Sequence, residues 1–279
     1  MADTNKPTPS TFSQEAQIKP ASPFKAIFPV LAIIVCTVVA FVVFYGVFGA
    51  PENFEGGTTE GEPLNTFGLV FKGGWVIPIG MSITLVILVF FVERMITIQR
   101  ASGRGNTDVF VKKVRMLLSQ GKINEAAALC DKQKGSVASV IKAGLRKYQE
   151  MESNLELDKE TKKTAIQAEL EEATMLELPM LERNLPILAT TASLGVLVGL
   201  FGTVLGMIRA FSALGEGGAP NAAELSVGIS EALINTAFGI ANSMVSVALY
   251  NFFTTSIDKM TYAMDEAGYT IVQTFDVNN

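Results

Sequence analysis

Four apolar stretches, each long enough to cross a membrane, constrain this chain more than any other feature. A bilayer core about 30 Å thick needs about 20 apolar helical residues, and residues 26–48, 75–92, 186–207 and 222–253 meet that need. The chain has 49% hydrophobic and 18% charged residues, which is unusual for a soluble domain. Because no strand-like alternation appears, we expect an all-α integral membrane protein whose long helices extend into a cytoplasmic helical domain.

The charges between the spans predict their orientation. Residues 98–185 hold 15 Lys/Arg and 13 Asp/Glu, with basic residues concentrated just after the second span. Residues 51–73 hold four Glu and only Lys72, and residues 213–224 hold two Glu and no base. Cytoplasmic loops carry an excess of Lys and Arg. We therefore expect residues 98–185 and both chain ends in the cytoplasm, with the two acidic loops outside.

Composition and orientation together predict nine segments along the chain. These are a flexible cytoplasmic tail at 1–25, a transmembrane helix at 26–48, a periplasmic linker at 49–73, a transmembrane helix at 74–97, a cytoplasmic helical domain at 98–185, a transmembrane helix at 186–212, a periplasmic turn at 213–221, a transmembrane helix at 222–254 and a cytoplasmic C-terminal tail at 255–279. The first apolar segment has an alternative interpretation as a cleaved signal, because GVFGA at 46–50 supplies small residues near its end. Its apolar run of about 23 residues exceeds a signal core, which favours an uncleaved helix.

Capping and breaking residues predict the helices of the cytoplasmic part. The polar residues at 106–108 can cap a helix that ends at Ser119, where Gly121 breaks it. Two more helices are expected at 123–130 and 136–150.

Longer helical segments follow from the scarcity of breakers. Residues 158–207 are expected to form one continuous helix of about 75 Å, because no Gly or turn cluster intervenes and Pro179 and Pro186 would only kink it. A short interfacial helix is expected at Thr66–Phe71 outside the membrane. Residues 221–224 resemble a capping box that starts the last helix.

Glu231 is a carboxylate inside the apolar last span. An ionised carboxylate in hydrocarbon costs at least a few kcal/mol, so such a group usually faces a protein interior and has a function. Glu231, Asn235, Asn242 and Ser246 are spaced to lie on one helix face. Each amide or hydroxyl alone most often bonds a neighbouring helix. Together with a carboxylate they favour the wall of an ion path.

Other chemistry has little support in the sequence. There is no His, and the two cysteines, Cys36 in a span and Cys130 in the cytoplasmic part, cannot meet in an oxidising compartment. Neither a metal site nor another cofactor is expected. We found no phosphate-binding loop and no Ser/His/Asp set, so we expect no enzyme. The basic cluster at 100–115 lacks interleaved aromatics, which favours a membrane-face anchor over a nucleic-acid site.

Two blocks of sequence resemble those of a known family. Residues 181–214 read LERNLPILATTASLGVLVGLFGTVLGMIRAFSAL, and residues 228–253 read GISEALINTAFGIANSMVSVALYNFF. Both are similar to the MotA/TolQ/ExbB proton-channel family, nearer to its ExbB/TolQ branch. The similarity extends over residues 75–255.

The resemblance implies a role for particular residues and partners. It implies a homopentameric ring in the bacterial inner membrane that encloses two copies of an ExbD/TolR-type single-span protein and drives a TonB/TolA-type protein. Glu231 matches the channel carboxylate, and Thr203 and Thr236 match threonines that line the path. A hydroxyl can both donate and accept, which suits proton transfer, and a bond to the carbonyl four residues earlier is the alternative role. Asn235, where small apolar residues are usual, is expected to be able to bond the carboxylate.

Further departures and packing motifs accompany the resemblance. Gly195 with Gly199, and Gly202 with Gly206, are two Gly-x-x-x-Gly pairs, which we expect to pack helices within or between subunits. Arg209 stands where a neutral residue is common and either reaches the membrane interface or tunes the field at the channel mouth. The helix at 26–48 is additional to the three spans of the family.

Two other functions remain open at this stage. One is a sodium-driven or flagellar-type stator of the same superfamily, against which the short chain and short cytoplasmic part argue. The other is a structural membrane scaffold in which the carboxylate only holds a basic residue. The sequence does not indicate which outer-membrane process is powered.

Overall fold

The computed structural model describes residues 23–215 and 222–278, and within them it is helical without a strand. The helices are α1 Pro23–Val43, α2 Thr66–Phe71, α3 Ile77–Ser102, α4 Thr107–Ser119, α5 Ile123–Gln133, α6 Ser136–Ser153, α7 Lys159–Glu182, α8 Leu185–Gly215 and α9 Ala222–Asn278. Four helical stretches, which contain α1, α3, α8 and α9, are long and apolar enough to cross a membrane. The predicted fold class is confirmed. Residues 1–22 of the predicted tail lie outside the described residues, as do residues 216–221 of the predicted turn, which include the cap at Asn221.

The predicted cytoplasmic helices form between the residues that were expected to cap and break them. The Asn106 side chain accepts hydrogen bonds from the backbone N–H groups of Asp108 and Val109 at the start of α4. Gly121, with φ +72°, separates α4 from α5.

The segment predicted to lie outside the membrane, residues 49–73, is folded onto the end of α1. Residues Phe44–Phe48 continue α1 as a π-helical turn. The Asn53 side chain donates hydrogen bonds to the carbonyl oxygens of Val47 (2.7 Å) and Phe48 (3.0 Å). The rings of Phe44 and Phe71 stack with centroids 4.9 Å apart, which joins α1 to α2. This segment therefore fixes the approach of the chain to α3.

The expected continuous helix over residues 158–207 is wrong, because α7 and α8 are separate helices. The chain leaves the α-helical conformation at Arg183, and Asn184 has φ +63°. Pro186 lacks the N–H that would bond the carbonyl of Glu182, and its ring crowds that carbonyl. Asn tolerates the left-handed conformation that ends many helices. The proline thus ends the helix and does not merely kink it.

The longest helix of the described residues is α9. This helix has 57 residues and is about 85 Å long, so it continues without a break past residue 254 to residue 278. Its C-terminal half packs against α4, α6 and α7. The Tyr148 and Phe275 rings meet edge to face at 5.1 Å. Residues of α9 buried in this helical core are Ile257, Met260, Ala263, Met264, Ala267, Ile271 and Phe275.

A buried ion pair joins the end of α3 to the end of α7. The Arg94 guanidinium is 1% exposed and donates to both carboxylate oxygens of Glu93, at 2.6 and 2.7 Å. Its remaining nitrogen donates to the carbonyl oxygen of Leu181 at 3.0 Å. That carbonyl belongs to the last turn of α7, where carbonyl groups lack partners within the helix. Arg94 therefore satisfies the end of α7 and holds it below α3.

Candidate ion pathway

Glu231 lies in the third turn of α9 and is buried inside the chain, with 1% of its surface exposed. Its carboxylate lies over Gly74, in the turn between α2 and α3. A Cβ atom on Gly74 would overlap the Oε1 atom of Glu231, and Gly74 has φ +78°, a conformation that side chains disfavour. The absence of a side chain at Gly74 therefore creates the space that the carboxylate occupies.

Arg209 forms an ion pair with this carboxylate. Its Nη1 atom lies 2.5 Å from Oε2 of Glu231. The two partners differ in environment, since the Arg209 side chain is 55% exposed and Glu231 is 1% exposed. Charge-assisted hydrogen bonds of this kind are short and strong. The sequence left the role of Arg209 open, and the structure places it on the candidate channel carboxylate.

Asn235 lies one turn along α9 from Glu231 but does not donate to its carboxylate. Its amide donates to the carbonyl oxygen of Gly73 at 2.8 Å and to the backbone carbonyl oxygen of Glu231 at 2.9 Å. The side chain is 3% exposed. It therefore holds the turn before α3 against α9, and so it positions Gly74 beneath Glu231.

Thr203 of α8 and Thr236 of α9 contact each other through their hydroxyl groups. Each hydroxyl also lies 3.0 Å from the carbonyl oxygen four residues earlier, Thr203 from that of Gly199 and Thr236 from that of Ala232. Because a hydroxyl has one hydrogen, one threonine can donate to its carbonyl while the other donates across the pair. The back-bond contacts that the sequence offered as the alternative role are thus present, and the role of the two threonines in a proton path stays a prediction. Thr236 is five residues from Glu231, which turns it by about 140° around the helix.

The threonine pair and Glu231 therefore face different sides of α9. Thr203 lines a surface groove together with Met207, Ile208 and Ser212. Glu231 faces inward to the turn before α3. The hydrogen bonds within the described residues do not connect the two sites. The structure brings the threonines together but separates them from the carboxylate.

The remainder of the polar stripe is covered within the chain. The Asn242 amide donates to the Gly80 carbonyl oxygen at 2.9 Å and accepts from the Thr84 hydroxyl at 2.7 Å. Ser246 donates to the Leu188 carbonyl oxygen at 3.0 Å and lies 2.6 Å from the Thr191 hydroxyl. These two residues join α9 to α3 and α8, which is the ordinary role of polar residues between membrane helices.

The four glycines of the two Gly-x-x-x-Gly pairs in α8 face α9 of the same chain. A Cβ atom on Gly199 would lie 3.0 Å from the Asn235 carbonyl oxygen, and one on Gly206 would lie 2.7 Å from the Ala232 nitrogen. Gly195 faces Gly239, and Gly202 faces the Asn235 side chain. Backbones this close leave no room for larger residues.

Sequence reasoning missed several partners of this site. Gly74, the Gly73 carbonyl and Thr84 lie about 150 residues from α9, so helical spacing gives no signal for them. Thr191 was visible as one of the adjacent threonines in ATTA, a small polar pair inside an apolar span.

Comparison with known proteins gives a consistent assignment for this region. Residues 132–266 match the MotA/TolQ/ExbB proton channel family, and the match includes Glu231, Thr203 and Thr236. A putative biopolymer transport protein ExbB-like 3 of Synechocystis is 39% identical over 92 residues, which cover 32% of this chain and 44% of that protein.

Two further relatives are ExbB and TolQ proteins. The biopolymer transport protein ExbB of Aquifex aeolicus is 46% identical over 72 residues, 26% of this chain and 49% of the relative. The Tol-Pal system protein TolQ of Pseudomonas aeruginosa is 32% identical over 117 residues, which cover 42% of this chain and 51% of that protein. The chain thus spans about half the length of the curated relatives that it matches.

Proposed function

We propose that this chain, which matches the MotA/TolQ/ExbB proton channel family over residues 132–266, is a proton-driven motor subunit of the ExbB/TolQ type in a bacterial inner membrane. One observation carries the proposal. Glu231 is a carboxylate that is 1% exposed, lies inside a membrane-spanning helix and falls within the matched region. A buried intramembrane carboxylate with a defined partner is the expected proton carrier of such a protein.

The Arg209–Glu231 pair is the proposed entry point of the proton. Arg209 is half exposed on the surface of the chain while the carboxylate is buried, and we place the water that delivers the proton beside the guanidinium. A proton taken up by Glu231 neutralises the carboxylate and removes its attraction for Arg209. The neutral side chain is then free to move away from Gly74 around α9, towards the hydroxyl pair of Thr203 and Thr236.

A ring of subunits would give both sites a common path. The threonine pair lines a groove on the surface of α8, and the outward faces of α8 and α9 are apolar. Exposed residues on α8 are Leu197, Leu200, Phe201, Val204 and Ile208. Packing of neighbouring copies against these faces would enclose the groove. We propose five copies around two ExbD/TolR-type single-span proteins, with the motion transmitted to a TonB/TolA-type protein.

The ion pair favours protons over sodium. A sodium ion needs several oxygen ligands, whereas a proton needs one oxygen of the carboxyl group. The guanidinium of Arg209 already occupies one carboxylate oxygen of Glu231. Transport that stops when sodium is replaced by choline, and that does not respond to a proton gradient, would support the sodium-driven alternative.

The same ion pair is the one observation that favours a structural scaffold. On that account Glu231 only anchors Arg209, and its loss weakens assembly. Breaking an exposed ion pair lowers the free energy of unfolding by roughly 1 kcal/mol. Breaking a buried pair lowers it by about 3–5 kcal/mol. The double variant Arg209→Gln/Glu231→Gln removes both charges, so on the scaffold account it restores assembly and with it all function.

The proposal is tested in cells that depend on this chain for energy transduction. Glu231→Gln should insert and assemble at the wild-type level and should abolish transduction, and the double variant should assemble and remain inactive. Thr190→Ser, which changes an exposed hydroxyl of α8, is the matched control. Transduction by Glu231→Gln, or by the double variant, would overturn the proposed role. The mass of the detergent-solubilised complex tests the ring, which a monomer would contradict.

A further inference from the structure

A cavity of about 620 Å³ lies where α1, α3, α6 and α7 meet, at the end of α3 predicted to be cytoplasmic. It is distant in sequence from the ion pathway and has no part in proton transport as proposed. Its wall carries the start of α6 at Gly135 and Ser136, the Arg94 and Arg100 side chains of α3, and Phe28 of α1. This combination of groups suits an anion.

The start of α6 supplies hydrogen-bond donors to the cavity. Its cap residue, Gly135, has no side chain to accept from the first-turn N–H groups, and these groups have no partner within the helix. Ser136 is 5% exposed, and its hydroxyl makes no hydrogen bond within the described residues. This hydroxyl has no partner and lies at the N-terminus of a helix, which is the positive end of the helix dipole. It is therefore suited to donate a hydrogen bond to an anionic oxygen.

The charges around the cavity leave one cation available. Glu93 is neutralised by Arg94, as described above. Arg100 makes no ion pair or hydrogen bond within the described residues, and it lines the cavity. Arg183 and Glu177 also contribute to the wall. With three arginines and two glutamates the wall carries a net charge of +1, which favours a ligand with one negative charge.

The cavity continues into an apolar groove that rises along α3 into its membrane-spanning part. This groove, of about 640 Å³, shares Phe28, Glu93, Thr97 and Arg100 with the cavity. Its other wall residues are Leu88, Val89, Val92 and Ile96. Such a groove adds nothing to the binding of a free anion, but an acyl chain can pack against its apolar residues. The shape is a polar chamber followed by an apolar channel.

We propose that this continuous site binds one anionic glycerophospholipid of the cytoplasmic leaflet. Its phosphate would lie between Arg100, Ser136 and the start of α6, and one acyl chain would follow Leu88, Val92 and Ile96. Anionic lipids of that leaflet are attracted to basic residues beside a span, and Arg100 belongs to the basic cluster there. Phe28 would place the lipid between α1 and α3, so the lipid would join the first helix to the remainder of the subunit.

Native mass spectrometry of the full chain in detergent tests the proposal. Phosphatidylglycerol and phosphatidylcholine with the same acyl chains are added separately. We expect one phosphatidylglycerol per protomer, held about tenfold more tightly than phosphatidylcholine. Both lipids carry the phosphate, but phosphatidylcholine adds a choline cation, which the net positive charge of the wall repels. Arg100→Gln should remove this preference. Arg104→Gln, which changes an arginine of the same cluster that does not line the cavity, should retain it.

Three outcomes would overturn the proposal. Equal binding of the two lipids by the wild-type chain would exclude an anion-selective site. Equal loss in Arg100→Gln and Arg104→Gln would indicate diffuse attraction to the basic cluster. Displacement of phosphatidylglycerol by millimolar glycerol phosphate would indicate a site for a free phosphate ester. Val92→Trp, which fills the groove without changing charge, should weaken binding of both lipids, and it serves as the second variant if Arg100→Gln does not fold.

Discussion

The carboxylate of Glu231 depends on two residues that are remote in sequence, Gly74 beneath it and Arg209 beside it. Glu231 itself could be predicted, because a carboxylate in an apolar span is conspicuous. Its surroundings could not, since neither a turn more than 150 residues away nor a pairing between α8 and α9 leaves a periodic signal. The same limit explains Asn235, whose predicted bond to the carboxylate is replaced by bonds to two backbone carbonyl groups.

Gly74→Ala should therefore impair proton transport without removing any charged group. A Cβ atom would overlap the carboxylate, and the φ of +78° would cost about 1–3 kcal/mol in a non-glycine residue. Proton flux and thermal unfolding of the detergent-solubilised protein measure the two effects. Gly46→Ala is the control, because a Cβ atom there has no neighbour within 4 Å, and it should be close to neutral. Normal flux in Gly74→Ala would contradict the assigned geometry.

At the scale of elements, local signals located helix starts better than helix ends. Asn106 and Gly121 predicted the bounds of α4 correctly. The break at Asn184 was not predicted, because Pro186 was expected only to kink the helix. In the structure Asn184 has a positive φ, and a new helix follows it. The extension of α9 was missed although Ile257, Met264 and Ile271 repeat every seven residues. That repeat was a readable signal for a buried helix face.

Arg94→Met should destabilise the junction of α3 and α7. It leaves the Glu93 carboxylate without its charged partner and the Leu181 carbonyl without a donor, and breaking a buried pair costs about 3–5 kcal/mol. Thermal unfolding measures the loss. Glu93→Gln/Arg94→Met should recover most of it, because no unpaired charge remains. Arg115→Met, at an exposed position of α4, should have little effect, and an equal loss there would refute the assignment.

Cys130 of α5 reports on the packing of the cytoplasmic helices. Burial raises the pKa of its thiol to about 12, so very little reactive thiolate exists near neutral pH. Maleimide labelling of the folded protein at pH 7.5 should be far slower than labelling after denaturation. The pKa of this thiol is higher in the folded state than in the unfolded state. Its contribution to the free energy of unfolding is therefore complete below about pH 8.5 and is lost as the pH rises towards 12. Rapid labelling of the folded chain would contradict this packing.

At the scale of the whole molecule, the four apolar helices could be predicted from composition and length. For α1 the sequence left open whether the helix is retained or cleaved as a signal. Its packing favours retention. Phe28 meets Phe90 of α3 edge to face at 6.2 Å, and Cys36, Ala40 and Phe44 are buried. The outward residues of α1 are apolar and exposed, as suits a helix that faces lipid.

We therefore predict that the mature protein keeps this helix. N-terminal sequencing of the protein isolated from membranes should give a residue before Pro23. A sequence that begins near Pro51 would mean that residues 26–48 are a signal peptide. Deletion of residues 1–48 should lower thermal stability, because Asn53 and Phe71 lose their partners on the π-helical turn, and should leave proton conduction intact.

Proton flux into liposomes tests the role of Glu231 most directly. The complex of this chain with the proposed ExbD/TolR-type partner is reconstituted with a pH-sensitive dye inside, and a pH step is applied across the membrane. We predict flux for the wild type that is independent of sodium, and flux at the level of empty liposomes for Glu231→Gln in a complex of unchanged mass. Undiminished flux through Glu231→Gln would show that protons cross without this carboxylate.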